Sequence, residues 1–376
     1  MFFAFPSCRR YDARMTELDP KPGILDIAPY VGGKSRIDGV AEPMKLSSNE
    51  NALGAGEKAR AAFQAAVNGI HIYPDGRASK LRAAVAEHHQ LEPERLIFGN
   101  GSDEVFALLN QTYLRPGDNI VTGQYGFLAY RISAKANEGI VKLAPEPGFK
   151  AEVDALLAEV DERTRIVYVS NPSNPTGSWN SGDEIRRLHA ALPPEILLVI
   201  DEAYAEYVTE PDWESALPLA REASNLIVTR TFSKIHGLGG LRIGFGYAPL
   251  AVAEAVDRIR LPFNVSVPGL EAATAALGDE AHQKASRELI QTWRPRLTQA
   301  LRGFGFDVLP SAGNFVLVRF GDPERRQAAD AHLHTRGIIV RPVGGYGLHD
   351  ALRITVGTED QNRAVIDALS EFAAGA

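Results

Sequence analysis

From about residue 57 onward, the chain alternates short apolar runs of strand length with segments of helical periodicity. Continuous apolar runs are typical of strands buried on both faces, and strands separated by helices pair in parallel. The pattern therefore predicts an α/β fold with a mainly parallel sheet between layers of helices. The runs are 95–98, 119–122, 140–143, 165–170, 195–200, 225–229 and 241–247.

The pattern changes near residues 261–268. A long helical stretch around 281–303 is followed by short apolar runs at 306–309, 315–320, 337–341 and 352–356 and by a closing helix, which together predict a smaller α+β domain. A chain of 376 residues also exceeds the size at which one core usually stops growing. We expect a large domain over 45–265 and a small domain over 266–376. Residues 1–44 are expected to form a tail and an arm that joins the small domain or a dimer interface.

Composition narrows the classes of partner. A net charge of -7 offers no attraction to nucleic acid or to anionic lipid, and no apolar stretch reaches membrane-spanning length. A small-molecule substrate is therefore expected, with no metal. The single cysteine, Cys8, is compatible with the reducing cytoplasm. The arginines near the amino terminus follow the apolar run, opposite to the order of a secretory signal, and translation starts at Met1 or Met15.

One lysine lies in a loop rich in hydroxyls and glycines, just after the apolar run 225–229. This position is the carboxyl end of a predicted strand, where open α/β sheets bind their ligands. A single loop lysine is most often only solvated. With Arg242 eight residues later, however, the side-chain amine of Lys234 is well placed to condense with the carbonyl group of a ligand whose phosphate is bound nearby. Pyridoxal phosphate carries both groups.

Three further loops follow apolar runs and are expected at the same edge of the sheet. The loop GNGSDE at 99–104 opens a helix and so offers backbone N–H groups to an anion. A dinucleotide fingerprint would need glycine at Glu104, and a plain helix cap from Ser102 is the simpler alternative. The loop NPSNPTG at 171–177 is, taken alone, a rigid turn. In DEAY at 201–204, Asp201 would be partly desolvated, which suits a cationic partner, a helix cap or a salt bridge.

Together, these motifs and their order resemble the fold-type-I pyridoxal phosphate aminotransferases. The resemblance is closest to the histidinol-phosphate aminotransferases and covers nearly the whole chain after Met15. Departures are Ala52, where that family usually has proline, and the turn QYGF at 124–127, where it commonly has a proline before the aromatic residue. The closer resemblance is carried by PY at 29–30, KLSSNEN at 45–51, YPDG at 73–76, LR at 81–82 and RITVGT at 353–358.

The resemblance implies a seven-stranded large domain and a role for each matching residue. Lys234 would bind the cofactor through its amine and move a proton at the substrate Cα. Asp201 would keep the pyridine nitrogen protonated, Tyr204 and Asn174 would donate to the ring's 3′ oxygen, and Phe127 would stack on the ring. The cofactor phosphate would contact Ser102, Asp103, Ser233, Arg242 and, from the second subunit of a homodimer, Tyr73.

For the substrate, the resemblance implies Tyr30, Asn51, Arg341 and Arg353, with Arg353 as a bidentate anion ligand. The expected reaction uses histidinol phosphate with 2-oxoglutarate and glutamate, with weaker use of tyrosine and phenylalanine because aromatic residues surround Arg341. The alternatives are a dedicated aromatic aminotransferase, a threonine-phosphate-type decarboxylase, and a non-catalytic effector module. The last would need a DNA-binding domain, for which there is no room before residue 45.

Overall fold

The structure is a computed structural model that describes residues 20–30 and 32–375. Its strands are β1 (Met44–Lys45), β2 (Leu96–Asn100), β3 (Asn119–Gly123), β4 (Ile140–Ala144), β5 (Thr164–Ser170), β6 (Leu197–Asp201), β7 (Leu226–Thr231), β8 (Ile243–Tyr247), β9 (Asp307–Val308), β10 (Phe315–Arg319), β11 (Ile338–Ile339), β12 (Arg341–Pro342) and β13 (Ala351–Thr355). Its α-helices are α1 (Glu57–Ala66), α2 (Ser79–His89), α3 (Ser102–Tyr113), α4 (Leu128–Ala136), α5 (Val153–Ala158), α6 (Gly182–Ala191), α7 (Leu217–Glu222), α8 (Leu250–Ile259), α9 (Val267–Leu277), α10 (Glu280–Gly303), α11 (Pro323–Thr335) and α12 (Glu359–Ala374).

The large sheet has seven strands in the order β2-β8-β7-β6-β5-β3-β4. Every strand runs in the same direction except β8, which is antiparallel to both of its neighbours. The predicted mainly parallel seven-stranded sheet is confirmed. Its central strands are apolar and fully buried, as expected for a sheet with helices on both faces. The carboxyl ends of β2, β3, β5, β6 and β7 therefore lie along one edge.

Strand ends differ from the apolar runs by up to a few residues, because hydrogen-bond pairing rather than apolarity decides where a strand stops. β7 continues to Thr231, since Arg230 and Thr231 pair with Phe245 and Gly244 of β8. β8 begins only at Ile243, because the preceding residue, Arg242, has a left-handed backbone (φ 56°) that no strand accommodates.

The small domain contains an antiparallel sheet in the order β12-β13-β10-β9. The helices α10, α11 and α12 bury their apolar faces on it, in a core that includes Trp293, Phe315 and Leu369. The arm joins this domain through β1, which pairs in parallel with β11. The predicted amino-terminal tail, residues 1–19, lies outside the described residues. No helix among residues 20–30 and 32–375 is both long and apolar enough to cross a membrane.

The contacts of helix α9 bear on the domain boundary, which the sequence predicts at residue 265. This helix packs against α1 and α2. Its residues Leu270, Ala273 and Leu277 belong to the core of the large domain. Since α9 is predominantly apolar, only contact on more than one face keeps it from water. We therefore propose that the boundary lies near Asp279, between α9 and α10, rather than at 265.

A buried ion pair connects the ends of β6 and β7 behind the site. Glu202 is fully buried, and its Oε2 accepts hydrogen bonds from Arg230 Nε at 3.0 Å and from Arg230 Nη2 at 2.6 Å. The same oxygen accepts a hydrogen bond from Ser215 Oγ at 2.8 Å. Arg230 also donates to Glu206 Oε1 at 2.8 Å. The buried carboxylate of Glu202 therefore receives its hydrogen bonds from protein groups rather than from solvent.

Replacing Arg230 by methionine should destabilise the fold strongly, because it leaves the Glu202 carboxylate buried without a cation. We expect a loss of about 3–5 kcal/mol in the free energy of unfolding, measured by urea denaturation. The control is Arg186→Met, which breaks an exposed ion pair with Glu214 and should change stability far less. Similar losses in the two variants would show that burial of Glu202 does not control the effect.

Candidate active site

One cavity lies at the carboxyl edge of the large sheet, where the small domain and the arm cover it. Most of the site residues predicted from the sequence line this cavity, although they come from eight separate segments of the chain. They are Tyr30, Ser102, Asp103, Phe127, Asn174, Asp201, Tyr204, Ser233, Lys234, Arg242, Arg341 and Arg353.

The first part of the cavity has the chemistry of a phosphate site. Helix α3 begins at Ser102, so its free backbone N–H groups face the cavity. The guanidinium of Arg242 lies beside them and donates to Ser233 Oγ at 3.3 Å and to Asp103 Oδ2 at 3.0 Å. An anion bound here would meet the guanidinium of Arg242, whose charge Asp103 partly offsets, two hydroxyls and the positive end of a helix dipole.

Two glycines allow this close approach. Gly101 has φ +74°, and a Cβ there would lie 2.5 Å from Nη2 of Arg242. A Cβ on Gly244 would lie only 2.3 Å from the backbone nitrogen of Ser102. Any larger residue at either position would move the loop or the arginine away from the helix terminus.

Lys234 lies in the loop after β7 and points its amine into the cavity. Its Nζ donates to the carbonyl oxygen of Ser48 at 3.2 Å and lies 5.6 Å from the ring centre of Tyr204. Burial, with the nearby cation of Arg353, lowers the pKa of Lys234 from 10.5 to about 8. A sizeable fraction of this amine is therefore neutral, and nucleophilic, close to neutral pH.

Asp201 ends β6 and is almost fully buried. Its two oxygens accept hydrogen bonds from Tyr130 Oη at 2.7 Å and from Thr229 Oγ1 at 3.2 Å. Burial raises the pKa of Asp201 from 3.8 to about 6, although both hydroxyls act in the opposite direction. A carboxylate in this setting favours a cationic hydrogen-bond donor as its ligand.

Tyr204 and Asn174 line the cavity next to Lys234 and Arg353 respectively. The phenol of Tyr204 accepts a hydrogen bond from Asn49 Nδ2 at 2.9 Å, and burial raises its pKa to about 12. It is therefore a neutral hydroxyl whose proton remains available to a ligand in the cavity. The amide oxygen of Asn174 accepts from Arg353, which leaves its NH₂ group for a ligand.

Arg341 and Arg353 are direct cross-strand partners on β12 and β13. Directly opposed residues on paired strands project to the same face of a sheet, and both side chains line the cavity. Arg353 is buried and donates to the carbonyl oxygen of Ser47 at 2.9 Å. Its Nε is also buried and has no hydrogen-bond partner, so this guanidinium retains capacity to bind a ligand.

Aromatic rings form the remaining wall. Phe127 precedes α4, and Tyr346 is almost fully buried beside it, while Tyr30 on the arm is exposed and lies 5.9 Å from the guanidinium of Arg341. The turn at 124–127 has no proline. Its Gly126 lies so close to Thr122 that the Cβ of any larger residue would be 2.4 Å from Thr122 Oγ1. Phe127 therefore reaches the cavity without the proline of the resembled family.

Two predicted site residues lie outside the cavity. Asn51 donates to the carbonyl oxygen of Ile235 at 2.8 Å and to Ser286 Oγ at 2.9 Å, so it anchors the Lys234 loop, and its role in substrate binding stays a prediction. Tyr73 is 80% exposed and stacks on Phe263 at 4.9 Å.

Sequence reasoning missed Asn49, Tyr130 and Ser48, which take part in the site. Asn49 belongs to the same quoted motif as Asn51, and its left-handed backbone (φ 55°) is a signal that is visible only in the structure. Within the described ranges, there is no group of three or more His, Cys, Asp or Glu side chains that could hold a metal ion.

Comparison with known proteins identifies the family. Residues 41–369 match the profile of the family described as aminotransferase class I and II. The chain is a member of the class I and II aminotransferases. Histidinol-phosphate aminotransferase 1 of Caulobacter vibrioides is 57% identical to this aminotransferase over 355 residues, which cover 94% of this chain and 99% of the relative. The histidinol-phosphate aminotransferase of Maricaulis maris is 49% identical over 94% of this chain and 99% of its own length.

A solved structure agrees with the fold of this aminotransferase. The crystal structure of histidinol-phosphate aminotransferase from Sinorhizobium meliloti, in complex with pyridoxal 5′-phosphate, superposes with a TM-score of 0.88 at 28% identity. The match covers 96% of this chain and 99% of that chain. The prediction of fold type I is therefore confirmed.

The amine of Lys234 should react with aldehydes at unusually low pH. We expect the rate of its labelling by pyridoxal phosphate and borohydride in the cofactor-free protein to rise with pH, with a midpoint near 8, and then to level off. The reason is that only the deprotonated amine attacks a carbonyl, and a lowered pKa moves deprotonation to lower pH. Peptide mapping measures the label, and Lys234→Ala is the control. A rate at Lys234 that still rose steeply above pH 9 would contradict the lowered pKa.

Proposed function

We propose that this chain is a pyridoxal phosphate-dependent aminotransferase that transfers the amino group of histidinol phosphate to 2-oxoglutarate and so forms glutamate. The names of its relatives and the order of charged groups in the cavity support this proposal. Its proposed location is the cytoplasm, with which the single cysteine, Cys8, is compatible.

The donors in the cavity fit pyridoxal phosphate. A planar pyridine with a phosphate, an aldehyde, a ring nitrogen and a 3′ oxygen needs an anion site, an amine, a carboxylate and hydrogen-bond donors. The α3 terminus with Arg242 would hold the phosphate, Lys234 the aldehyde and Asp201 the ring nitrogen. Phe127 would cover one face of the ring. When bound, the protonated ring withdraws electrons from the substrate Cα and so makes its proton acidic.

The proposed proton transfers are made by Lys234. Once the substrate amine has replaced it, the neutral Lys234 amine takes the proton from the substrate Cα, and the resulting ammonium returns a proton at the cofactor's C4′ carbon. Its pKa near 8 suits both directions at neutral pH, because neither form of the amine is rare. The carbonyl oxygen of Ser48, at 3.2 Å, orients the side chain when it carries a proton to donate.

The opposed pair Arg341 and Arg353 is the observation that carries the choice of substrate. Two like charges directly opposite each other on paired strands repel, and an anion bound between them would relieve this repulsion. A single carboxylate is matched by one arginine, whereas the phosphate of histidinol phosphate is dianionic and matches two. The same pair can bind the carboxylates of glutamate in the second half of the reaction.

Weaker activity on tyrosine and phenylalanine is part of the proposal. Phe127, Tyr346 and Tyr30 surround the end of the cavity near Arg341, and ring contacts of this kind contribute to binding of any aromatic side chain. Because an amino acid carries a monoanionic carboxylate, it would use Arg353 and depend much less on Arg341.

Replacing Arg341 by alanine should therefore separate the two substrate classes. We expect the KM for histidinol phosphate to rise by roughly 30-fold or more, which corresponds to about 2 kcal/mol, and the KM for phenylalanine to change only a few-fold. Steady-state kinetics with 2-oxoglutarate as acceptor measure both values.

The control is Arg319→Ala, which removes an arginine of the same small sheet that binds Asp307 and Asp350 outside the cavity. Equal losses for both substrates in Arg341→Ala would contradict the proposed role of Arg341. An absence of turnover of histidinol phosphate by the parent protein would instead favour a dedicated aromatic aminotransferase.

We also propose that the active enzyme is a homodimer. Large apolar side chains are exposed along residues 53–73 and at 261–263, and Tyr73 stacks on Phe263 within this region. Such a set of exposed apolar residues is typical of an interface. The exposed members are Leu53, Phe63, Val67, Ile70, Ile72, Tyr73, Leu261 and Phe263. Tyr73 would then reach the phosphate site of the neighbouring subunit.

Mixed dimers should test this shared site. Lys234→Ala and Tyr73→Ala chains, each inactive or severely impaired alone, should recover about one quarter of the parent activity when they are coexpressed. The reason is that half of the dimers are mixed and each of these has one intact site.

As a control, Lys234→Ala is coexpressed with Arg353→Ala. Both residues line the cavity of one chain, so no mixed dimer contains an intact site. Recovery in this control, or a fully active monomer in sedimentation, would contradict the proposal.

A further inference from the structure

The hydroxyl of Tyr130 is aimed at Asp201 from behind the cavity. It donates to Asp201 Oδ2 at 2.7 Å, the shorter of the two side-chain hydrogen bonds to this carboxylate. Tyr130 lies on α4, is fully buried, and does not line the cavity. Its hydroxyl therefore contacts the carboxylate from the side opposite to a ligand.

The ring of Tyr130 is fixed by its neighbours. It stacks on Tyr168 with ring centres 4.6 Å apart and planes inclined by 10°, and it meets the edge of Phe106 at 4.8 Å. It also meets Phe127, the proposed ring-stacking residue, edge to face at 5.7 Å. One side chain thus contacts both the residue proposed for the face of the ring and the residue proposed for its nitrogen.

The charge of Asp201 depends on donors such as this one. Burial and the negative charge of Asp103 favour its neutral form, whereas the hydroxyls of Tyr130 and Thr229 favour the carboxylate. The titratable groups that act on Asp201 are Tyr130 on α4, Asp103 on α3 and Tyr204 in the loop after β6. Since burial keeps Tyr130 in its protonated form, its hydroxyl remains a donor throughout the physiological range.

We infer that Tyr130 is a positioning residue that keeps Asp201 ionised and correctly oriented to bind the protonated ring nitrogen of the cofactor. Without this hydroxyl, burial would shift the carboxyl further towards its neutral form, and a neutral acid carries no charge to pair with a pyridinium. The inference rests on the proposed function, in which Asp201 binds that nitrogen.

The test compares two buried hydroxyls in one aromatic stack. Tyr130→Phe removes the donor to Asp201, and the matched control Tyr168→Phe removes a hydroxyl that donates to Asn110 at 3.0 Å instead. Both variants keep the ring contacts. The dissociation constant of pyridoxal phosphate for each cofactor-free protein is measured at pH 7 and pH 9, and circular dichroism checks the fold.

We expect Tyr130→Phe to weaken cofactor binding by about 10-fold or more at pH 7, and this loss to shrink at pH 9, where Asp201 ionises even without the hydroxyl. With saturating cofactor, kcat should fall while the KM for histidinol phosphate stays close to that of the parent. Tyr168→Phe should show neither effect. Equal weakening in the two variants, or a loss with Tyr130→Phe that does not depend on pH, would overturn the inference.

Asp201→Asn separates this inference from the proposed function. If Tyr130 acts through Asp201, adding Tyr130→Phe to Asp201→Asn should cause no further loss of cofactor affinity. Unchanged affinity in Asp201→Asn alone would refute the proposed role of Asp201. Weak binding by Asp201→Asn together with normal binding by Tyr130→Phe would refute only the role of Tyr130. Should Tyr130→Phe not fold, Thr229→Val takes its place in the same cycle, because Thr229 carries the other hydroxyl that donates to Asp201. An additive loss of affinity in that cycle would overturn the inference, because it would show that the hydroxyl donors act independently of the Asp201 charge.

Discussion

The parallel arrangement of the large sheet is the constraint on which the active site depends. Because six of its seven strands share one direction, the loops after β2, β3, β5, β6 and β7 meet at one edge. These loops supply the anion cradle, the aromatic wall, the amide of Asn174, the carboxylate of Asp201 and the amine of Lys234. Residues that are more than a hundred positions apart thus become neighbours, and several of the segments that carry them have unusual backbone, such as the positive φ of Gly101, Asn49 and Arg242 and the cis peptide bond between Asn174 and Pro175.

The small domain supplies further positive charge. Arg341 and Arg353 reach the cavity from a separate sheet, and the arm closes the space beside them through β1 and Tyr30. Under the proposed function, the sheet edge of the large domain would hold the cofactor, while the strands of the small domain would hold the anionic end of the substrate. Under the proposed function, substrate choice could then change through Arg341 on β12 without altering the strands that position Lys234 and Asp201, since β12 does not belong to that sheet.

Much of this could be predicted from sequence, because period and turn chemistry are local. The seven strands, the Lys234 loop and the arginines follow from apolar runs and from motif order. Three features depend on packing between distant segments and could not be predicted in this way. Helix α9 joins the large core because it contacts α1. Asn49, whose backbone is left-handed, reaches the cavity in place of Asn51. Tyr130 on α4 donates a hydrogen bond to Asp201 at the end of β6.

The buried charges also predict that a bound cofactor would stabilise this site. The folded-state pKa of Asp201 is raised to about 6. The free energy of unfolding therefore falls as pH rises from 3.8 through 6, and above that pH the ionised carboxylate destabilises the fold. Lys234 has a folded-state pKa lowered to about 8, so its protonated form costs free energy at all pH values below that. At neutral pH both penalties act together. A protonated ring nitrogen would compensate the charge of Asp201, and a carbonyl that reacts with the amine would remove the charge of Lys234. The cofactor-free chain therefore has its largest electrostatic penalty at the pH at which its proposed ligand is most complementary.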